Sequence, residues 1–313
     1  MVIALVAHFG IADTHIKHFR SLAFATVALA ACVAVRKIEA QTPPAPTFIA
    51  NYNCVKPAPA LRANVSWTND DGALKWGEWR IQIGERKLPV LIVVVMIAPK
   101  LTKLSLDIAR DGSKVVPWSL TNAPATARFA MNAGQFTDEG PWGWVVHRGN
   151  EHQPPGIGAV AGALVVDSAG TWALLDANEI AARRGHNVLE AVQSYPTLIG
   201  ANGAVPTALC GGANSIDLTH RDARLAVGTL AGGSLVIAMS RFDGLGKPAG
   251  RLPLGPTTSE MVTVMRSLGA TRALMLDGGL SAQLLLRSPM TSAPGLWPGL
   301  RHVPLALIGI PNQ

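Results

Sequence analysis

The segment Ala273–Leu286, ALMLDGGLSAQLLL, decides how the rest of the chain is read. An apolar run of Ala273, Leu274, Met275 and Leu276 stops at Asp277, glycines follow at 278 and 279, and a second apolar run begins after Ser281. The pattern is strand, tight turn, strand, with an acid at the carboxyl end of the first strand. Two readings are open. Asp-Gly is a strong short hairpin signal, so the segment reads as a plain hairpin. Adjacent glycines also let the backbone come close to a ligand, with amide N–H groups pointing at an anion beside Asp277.

The residues upstream bear on that choice. In GPTTSEMVTVMRSLG, residues 255–269, Met261, Val264, Met265 and Leu268 share one helical stripe, Thr257 and Glu260 have capping-box spacing, and Gly269 is a stop signal. A capped helix therefore feeds the strand that ends at Asp277. Helix, strand, Asp-Gly-Gly and Ser in this order resembles the closing signature of the phosphodiester glycosidase family, whose members hydrolyse sugar 1-phosphodiesters. The chain departs from the family's glycine-rich pattern at Leu280, where a third glycine often stands.

Other blocks follow in the same order. Met131–Phe136, MNAGQF, brings Asn132 to a small-residue bend, an ordinary turn by itself but similar to the family's Asn-Ala-Gly motif. Ser194–Gly203, SYPTLIGANG, and Thr219–Gly228, THRDARLAVG, resemble its next two blocks, and Arg224 is the residue that matches in the second. Arg224 by default is a surface or ion-paired side chain, whereas phosphodiester recognition favours its planar fork. Gly156–Gly162, GIGAVAG, is discounted as a dinucleotide loop, because Gln153, Pro154 and Pro155 stand where a strand would precede it.

The resemblance implies a hydrolase that frees a sugar from its phosphodiester. Glycoside hydrolysis ordinarily uses two carboxyl groups, but a phosphate leaving group needs little protonation, so one carboxylate and a phosphate clamp suffice in principle. The implied catalytic set is Asp277 as base or electrostatic stabiliser, Arg224 as clamp, Asn132 as orienting hydrogen-bond partner, and Glu260 as either a second carboxylate or a helix-capping residue. Gly278 and Gly279 are expected to donate amide hydrogen bonds to substrate, and Ser281, His220 and Thr258 to contact it. No cofactor is expected, and a divalent cation bridging Asp277 to phosphate is left open. The sequence contains neither a cysteine cluster nor an HExxH run of the kind that binds zinc. A second class of function, a non-catalytic envelope protein that holds an anionic glycan, uses the same cleft. A serine hydrolase built on Ser281 has thin support, because Gly279–Gln283 lacks the second glycine of a nucleophile elbow.

Composition agrees with a folded, loop-rich domain: 49% hydrophobic and 15% charged residues, 31 glycines and 22 prolines in 313 residues. Of the net charge of +7, residues 1–40 hold four basic and two acidic side chains, leaving a modest +5 that favours an anionic ligand over nucleic acid. Lys17 and Arg20 precede the short apolar run Ser21–Val35, so residues 1–40 read as an export signal with an upstream start accounting for the first sixteen. Leu29–Cys32 resembles a lipobox, which would attach the protein to a membrane through Cys32; otherwise cleavage falls after Ala40. The expected location is the periplasm or the exterior, where Cys54 and Cys210 either pair or remain buried thiols.

Residues 41–47 read as a Pro-rich linker, and residues 48–313 as one α+β domain of mixed or antiparallel sheets flanked by a few helices. Leu88–Pro99, LPVLIVVVMIAP, predicts a strand buried on both faces, and Leu104, Leu106 and Ile108 a half-buried one. Ala163–Val166 and Trp172–Leu175 predict a hairpin, Ala177–Arg183 and Val188–Gln193 helices, and Val303–Ile310 a closing strand.

Overall fold

The apolar run at the heart of the sequence becomes the strand Leu88–Ile97, covered on both faces as its composition predicts. Val93, Val95 and Ile97 face one hydrophobic cluster, while Val90, Ile92 and Val94 face another. This computed structural model describes residues 47–49, 60–99, 101–111, 114–210 and 217–312. The expected export signal, Cys32, residues 41–46 of the expected linker and Cys54 lie outside them; the last expected linker residue, Thr47, instead opens the strand Thr47–Ile49, which pairs with residues 81–83. Cys210 is disulfide-bonded.

Three large β-sheets carry the fold, with few helices, in agreement with the α+β class expected. The first has eight strands, and its central order is Leu74–Ile83, Leu88–Ile97, Leu235–Phe242, Leu225–Leu230, Ala270–Met275 and Thr197–Ile199. The second has five: Gly295–Trp297, Leu284–Leu286, Phe129–Asn132, Ala306–Pro311 and Thr102–Asp107. The third also has five: Asn150–Gln153, Val145–His147, Val188–Ser194, Gly162–Asp167 and Trp172–Asp176. One cluster takes side chains from all three, including Val95 and Leu274 from the first, Met131 and Leu307 from the second, and Leu164 and Val192 from the third. Burying that shared face drives the sheets together.

The helix Thr258–Ser267 covers the far face of the first sheet, with Met261, Val264, Met265 and Leu268 in the second cluster. Its capping box is complete: Thr257 Oγ1 accepts from the Glu260 N–H at 3.2 Å, and Glu260 Oε2 accepts from the Thr257 N–H at 2.9 Å. Gly269 takes a φ of 85°, the left-handed conformation that ends a helix cheaply only at glycine.

Two expectations are corrected. Val188–Ser194 is a strand, not a helix, and pairs with Val145–Val146 on one side and Gly162–Asp167 on the other. Its Val188 and Val192 have helical spacing, but two antiparallel neighbours satisfy its backbone, and that long-range pairing overrides local pattern. The second correction concerns the Asp-Gly-Gly segment. Ala270–Met275 pairs within the first sheet, whereas Leu284–Leu286 pairs with Phe129–Met131 in the second. The two apolar runs never pair with each other, so residues 277–283 are a crossing between sheets and not a hairpin turn.

Candidate active site

That crossing is tied down by Asn132, which is fully buried at the end of its strand. Its Nδ2 donates to the Asp277 carbonyl at 2.7 Å, and its Oδ1 accepts from the Gln283 N–H at 3.0 Å. The Asp277 N–H donates to the Ala133 carbonyl at 3.1 Å. Gly134 has no room for a side chain, since a Cβ there would stand 2.4 Å from the Gln193 carbonyl oxygen. The Asn-Ala-Gly turn therefore holds both ends of the 277–283 crossing, through one side chain and one carbonyl.

Asp277 opens into a cavity of about 490 Å³, shared with Arg224, Asp222, His220, Ser281 and Arg301. Arg224 stands immediately before the neighbouring strand Leu225–Leu230, where its backbone N–H donates to Ser240 Oγ at 2.7 Å. Its Nε donates to the Pro256 carbonyl at 3.0 Å and one terminal nitrogen to the His220 carbonyl at 2.6 Å. The other terminal nitrogen has no partner among the described residues, so an aimed guanidinium edge is left for a ligand. Two other clefts, of about 520 and 560 Å³, are slightly larger. Neither combines a cation with a carboxylate, so size does not select the site and chemistry does.

The electrostatics of the cavity are those of an acid pair between cations. Burial pushes the Asp277 carboxyl up to about 6, against the pull of the Ser281 hydroxyl, the Arg301 charge and the Gly278 amide, while Asp222 adds to the rise. Asp277 Oδ2 has no hydrogen-bond partner among the described residues. Burial also raises Asp222, opposed by Arg224, the Ala223 amide and His220. Arg224 is drawn down from its ordinary value by burial, opposed by Asp222 and Asp217. Two carboxyls raised in one cleft can hold one proton between them, which fits general acid and base roles.

The remaining site expectations divide. Gly278, Gly279, Ser281, His220 and Thr258 all line the cavity. The glycine amides do not serve as expected, however. The Gly279 N–H donates to the Ala223 carbonyl at 2.7 Å, and the Gly278 amide is spent on Asp277 itself. These glycines instead allow close approach: a Cβ on Gly278 would lie 2.4 Å from the Ala223 carbonyl oxygen, and one on Gly279 would lie 2.9 Å from Asp222 Oδ2. Glu260 is fully buried and absent from the cavity lining. Beyond its capping role it takes two bonds from Arg221, at 2.7 and 2.9 Å, so of its two readings the capping one is what the structure displays. Asn132 is likewise behind the cavity and acts through the Asp277 backbone. Ser281 is buried beside Asp277 and is not displayed on an exposed elbow.

Sequence reasoning missed Asp222, Arg301 and Tyr195. Asp222 lies two residues before Arg224 in a block already singled out, and its acid was passed over for Glu260. Arg301 carries no local signal; it stands over the Phe136 ring at 4.5 Å and reaches the cavity because residues 300 and 301 both donate backbone N–H groups to the Leu280 carbonyl. Tyr195 is held by Gln135, whose Nε2 donates to the Tyr195 carbonyl at 2.7 Å and whose Oε1 accepts its N–H at 3.1 Å. Trp142 packs edge-on against its ring at 5.0 Å. Among the described residues no group of three or more His, Cys, Asp or Glu side chains is placed to hold a metal ion.

A sheet-built cleft with two raised carboxyls and two arginines defines a site for an anionic ligand with acid–base chemistry at hand. The chain belongs to the phosphodiester glycosidase family, whose sequence profile matches residues 125–308. Its fold is similar to that of the zebrafish N-acetylglucosamine-1-phosphodiester alpha-N-acetylglucosaminidase catalytic domain, a structure auto-inhibited by its pro-peptide. The TM-score is 0.60 at 15% identity, over 80% of this chain and 87% of that one. A hypothetical protein from Synechocystis matches with a TM-score of 0.52 at 17% identity, over 79% of this chain and 64% of that one. No curated protein sequence matches the chain at a significant level.

Proposed function

We propose that this protein hydrolyses a sugar 1-phosphodiester, freeing the sugar and leaving the phosphate as a monoester of its acceptor alcohol. The observation that carries the reading is the Asp277 carboxyl, pushed up to about 6 and open to the same cavity as Asp222, Arg224 and Arg301. Arg224 and Arg301 bind the phosphate; Arg224 contributes the unspent edge of its guanidinium, since planar forks suit phosphate oxygens. The C1–O bond breaks with its electron pair leaving on the phosphate, and water supplies the oxygen that ends on C1.

Asp277 and Asp222 divide the acid–base work. One carboxylate takes the proton of the attacking water or stabilises positive charge at C1, while its neighbour holds a proton beside the leaving oxygen. Because a phosphate leaves readily, most of the gain comes from orienting water and stabilising C1. Tyr195, fixed by Gln135 and Trp142, offers the sugar ring an apolar face to lie on. The export signal read over residues 1–40 supports a substrate outside the cytoplasm, in envelope or secreted glycans.

The test is release of free sugar from UDP-N-acetylglucosamine and from synthetic N-acetylglucosamine phosphodiesters, with Asp277→Asn and Asp222→Asn as comparisons. Turnover by the native chain with a loss of at least about a hundredfold in each variant supports the reading. Binding of the phosphodiester without turnover at any pH from 4 to 9 would favour a glycan-binding protein instead.

A further inference from the structure

We infer that the acceptor alcohol of the substrate is apolar next to its phosphate, and that Leu280 and Leu300 select it. This rests on the hydrolysis proposed above. Leu280 lines the catalytic cavity immediately after Gly279, yet its side chain is 46% exposed. Leu300 is 56% exposed. Their neighbourhood is built into the fold, since the Leu300 N–H donates to the Leu280 carbonyl at 2.7 Å and the Arg301 N–H to the same oxygen at 3.0 Å. Gly299 permits this approach, because a Cβ there would stand 3.0 Å from that carbonyl oxygen.

The consequence is a rim of mixed chemistry. Arg301 and the half-exposed Leu280 line the cavity, the exposed Leu300 precedes Arg301 in the chain at its margin, and the Arg301 guanidinium lies over the Phe136 ring. A cation that binds phosphate, flanked by apolar side chains, matches an anionic group esterified to an alkyl chain. A polyhydroxylated acceptor would leave its hydroxyls against these leucines without partners. The lining also holds Asp217, His220 and Thr258, together with Tyr195 and Pro196; these offer hydrogen-bond partners to sugar hydroxyls and an apolar face to the ring. In the reaction the C1–O bond breaks, water's oxygen joins C1, and the released phosphate monoester carries the alkyl chain away along the rim.

The experiment compares two N-acetylglucosamine 1-phosphodiesters, one esterified to hexanol and one to glycerol, on the full chain. The expected kcat/KM ratio favours the hexyl ester by about tenfold. Leu280→Ser and Leu300→Ser should each reduce that ratio by about fivefold, the effect of uncovering roughly half a leucine side chain from an alkyl contact. Both leucines are exposed, so folding is not at risk, and thermal unfolding of each variant checks it. A native ratio of one or below, or a ratio unmoved by both substitutions, overturns the inference. If neither ester is hydrolysed, the hydrolytic reading fails separately. Calorimetric binding of the two esters to Asp277→Asn still decides the rim: tighter hexyl binding, weakened by adding Leu280→Ser, sustains it, and equal binding refutes it.

Discussion

Replacing Asp277 by Asn should make this protein more stable at pH 8 while cutting its turnover at least about a hundredfold. The folded carboxyl titrates near 6 and an unfolded one near 3.8, so the native state binds its proton more tightly. The sign follows from that order. Below about pH 3.8 both states are protonated and the group contributes nothing. As pH rises from 3.8 to 6 the unfolded chain ionises first and stability falls; above 6 the native state carries the full cost of a desolvated charge. A shift of about two pH units at 1.36 kcal/mol each corresponds to roughly 3 kcal/mol. The cavity is open to water, so about 2 kcal/mol is the better expectation. Asn keeps the shape of the side chain and cannot ionise. Urea unfolding of native chain and variant at pH 4 and pH 8 should show the variant gaining about 1.5 kcal/mol relative to native between the two conditions. The corresponding thermal midpoint difference is about 3–6 °C for a domain of this size. No gain, or a loss at pH 8 relative to pH 4, would mean that Asp277 is not a strained, desolvated carboxylate and would remove the basis for its catalytic role.

Asn132→Ala leaves the Asp277 carbonyl and the Gln283 N–H without their partner, at a cost of about 2 kcal/mol by chemical denaturation, with kcat falling more than KM rises because the crossing loosens. Arg224→Lys keeps the charge but loses the two carbonyl anchors and the planar fork; KM for the phosphodiester should rise about tenfold or more in steady-state assays. Glu260→Gln breaks a buried ion pair and should destabilise by about 3 kcal/mol in urea, yet kcat per folded molecule should hold, because the side chain does not reach the cavity. The kcat/KM profile of the native chain should inflect near pH 6, and Asp277→Asn should remove that inflection from the residual rate.

Local chemistry alone determined a good part of this. The capped helix Thr258–Ser267, the strand Leu88–Ile97 and the hairpin from Gly162 to Asp176 follow from periodicity, caps and turn residues, which act over a few positions. Asp277 as an acid ending an apolar strand, Arg224 entering another and Asn132 at a bend were equally legible, since each is announced by its immediate neighbours. Tertiary structure alone decided what those residues do. Whether Asp-Gly-Gly closes a hairpin depends on the strands that flank it, and these pair with partners in two different sheets. The same holds for Val188–Ser194, whose letters suit a helix until two neighbouring strands claim its backbone. The choice between Glu260 and Asp222 as the second carboxyl was likewise not local. Glu260 is claimed by Arg221, thirty-nine residues away in sequence, whereas Asp222 reaches the cavity because Gly279 has no side chain to block it. Arg301 arrives there through the Leu280 carbonyl, a contact between chain segments that nothing in either neighbourhood announces. Desolvation of a carboxyl is a property of everything packed around it, so the raised Asp277 belongs to the assembled fold and to no single stretch of it.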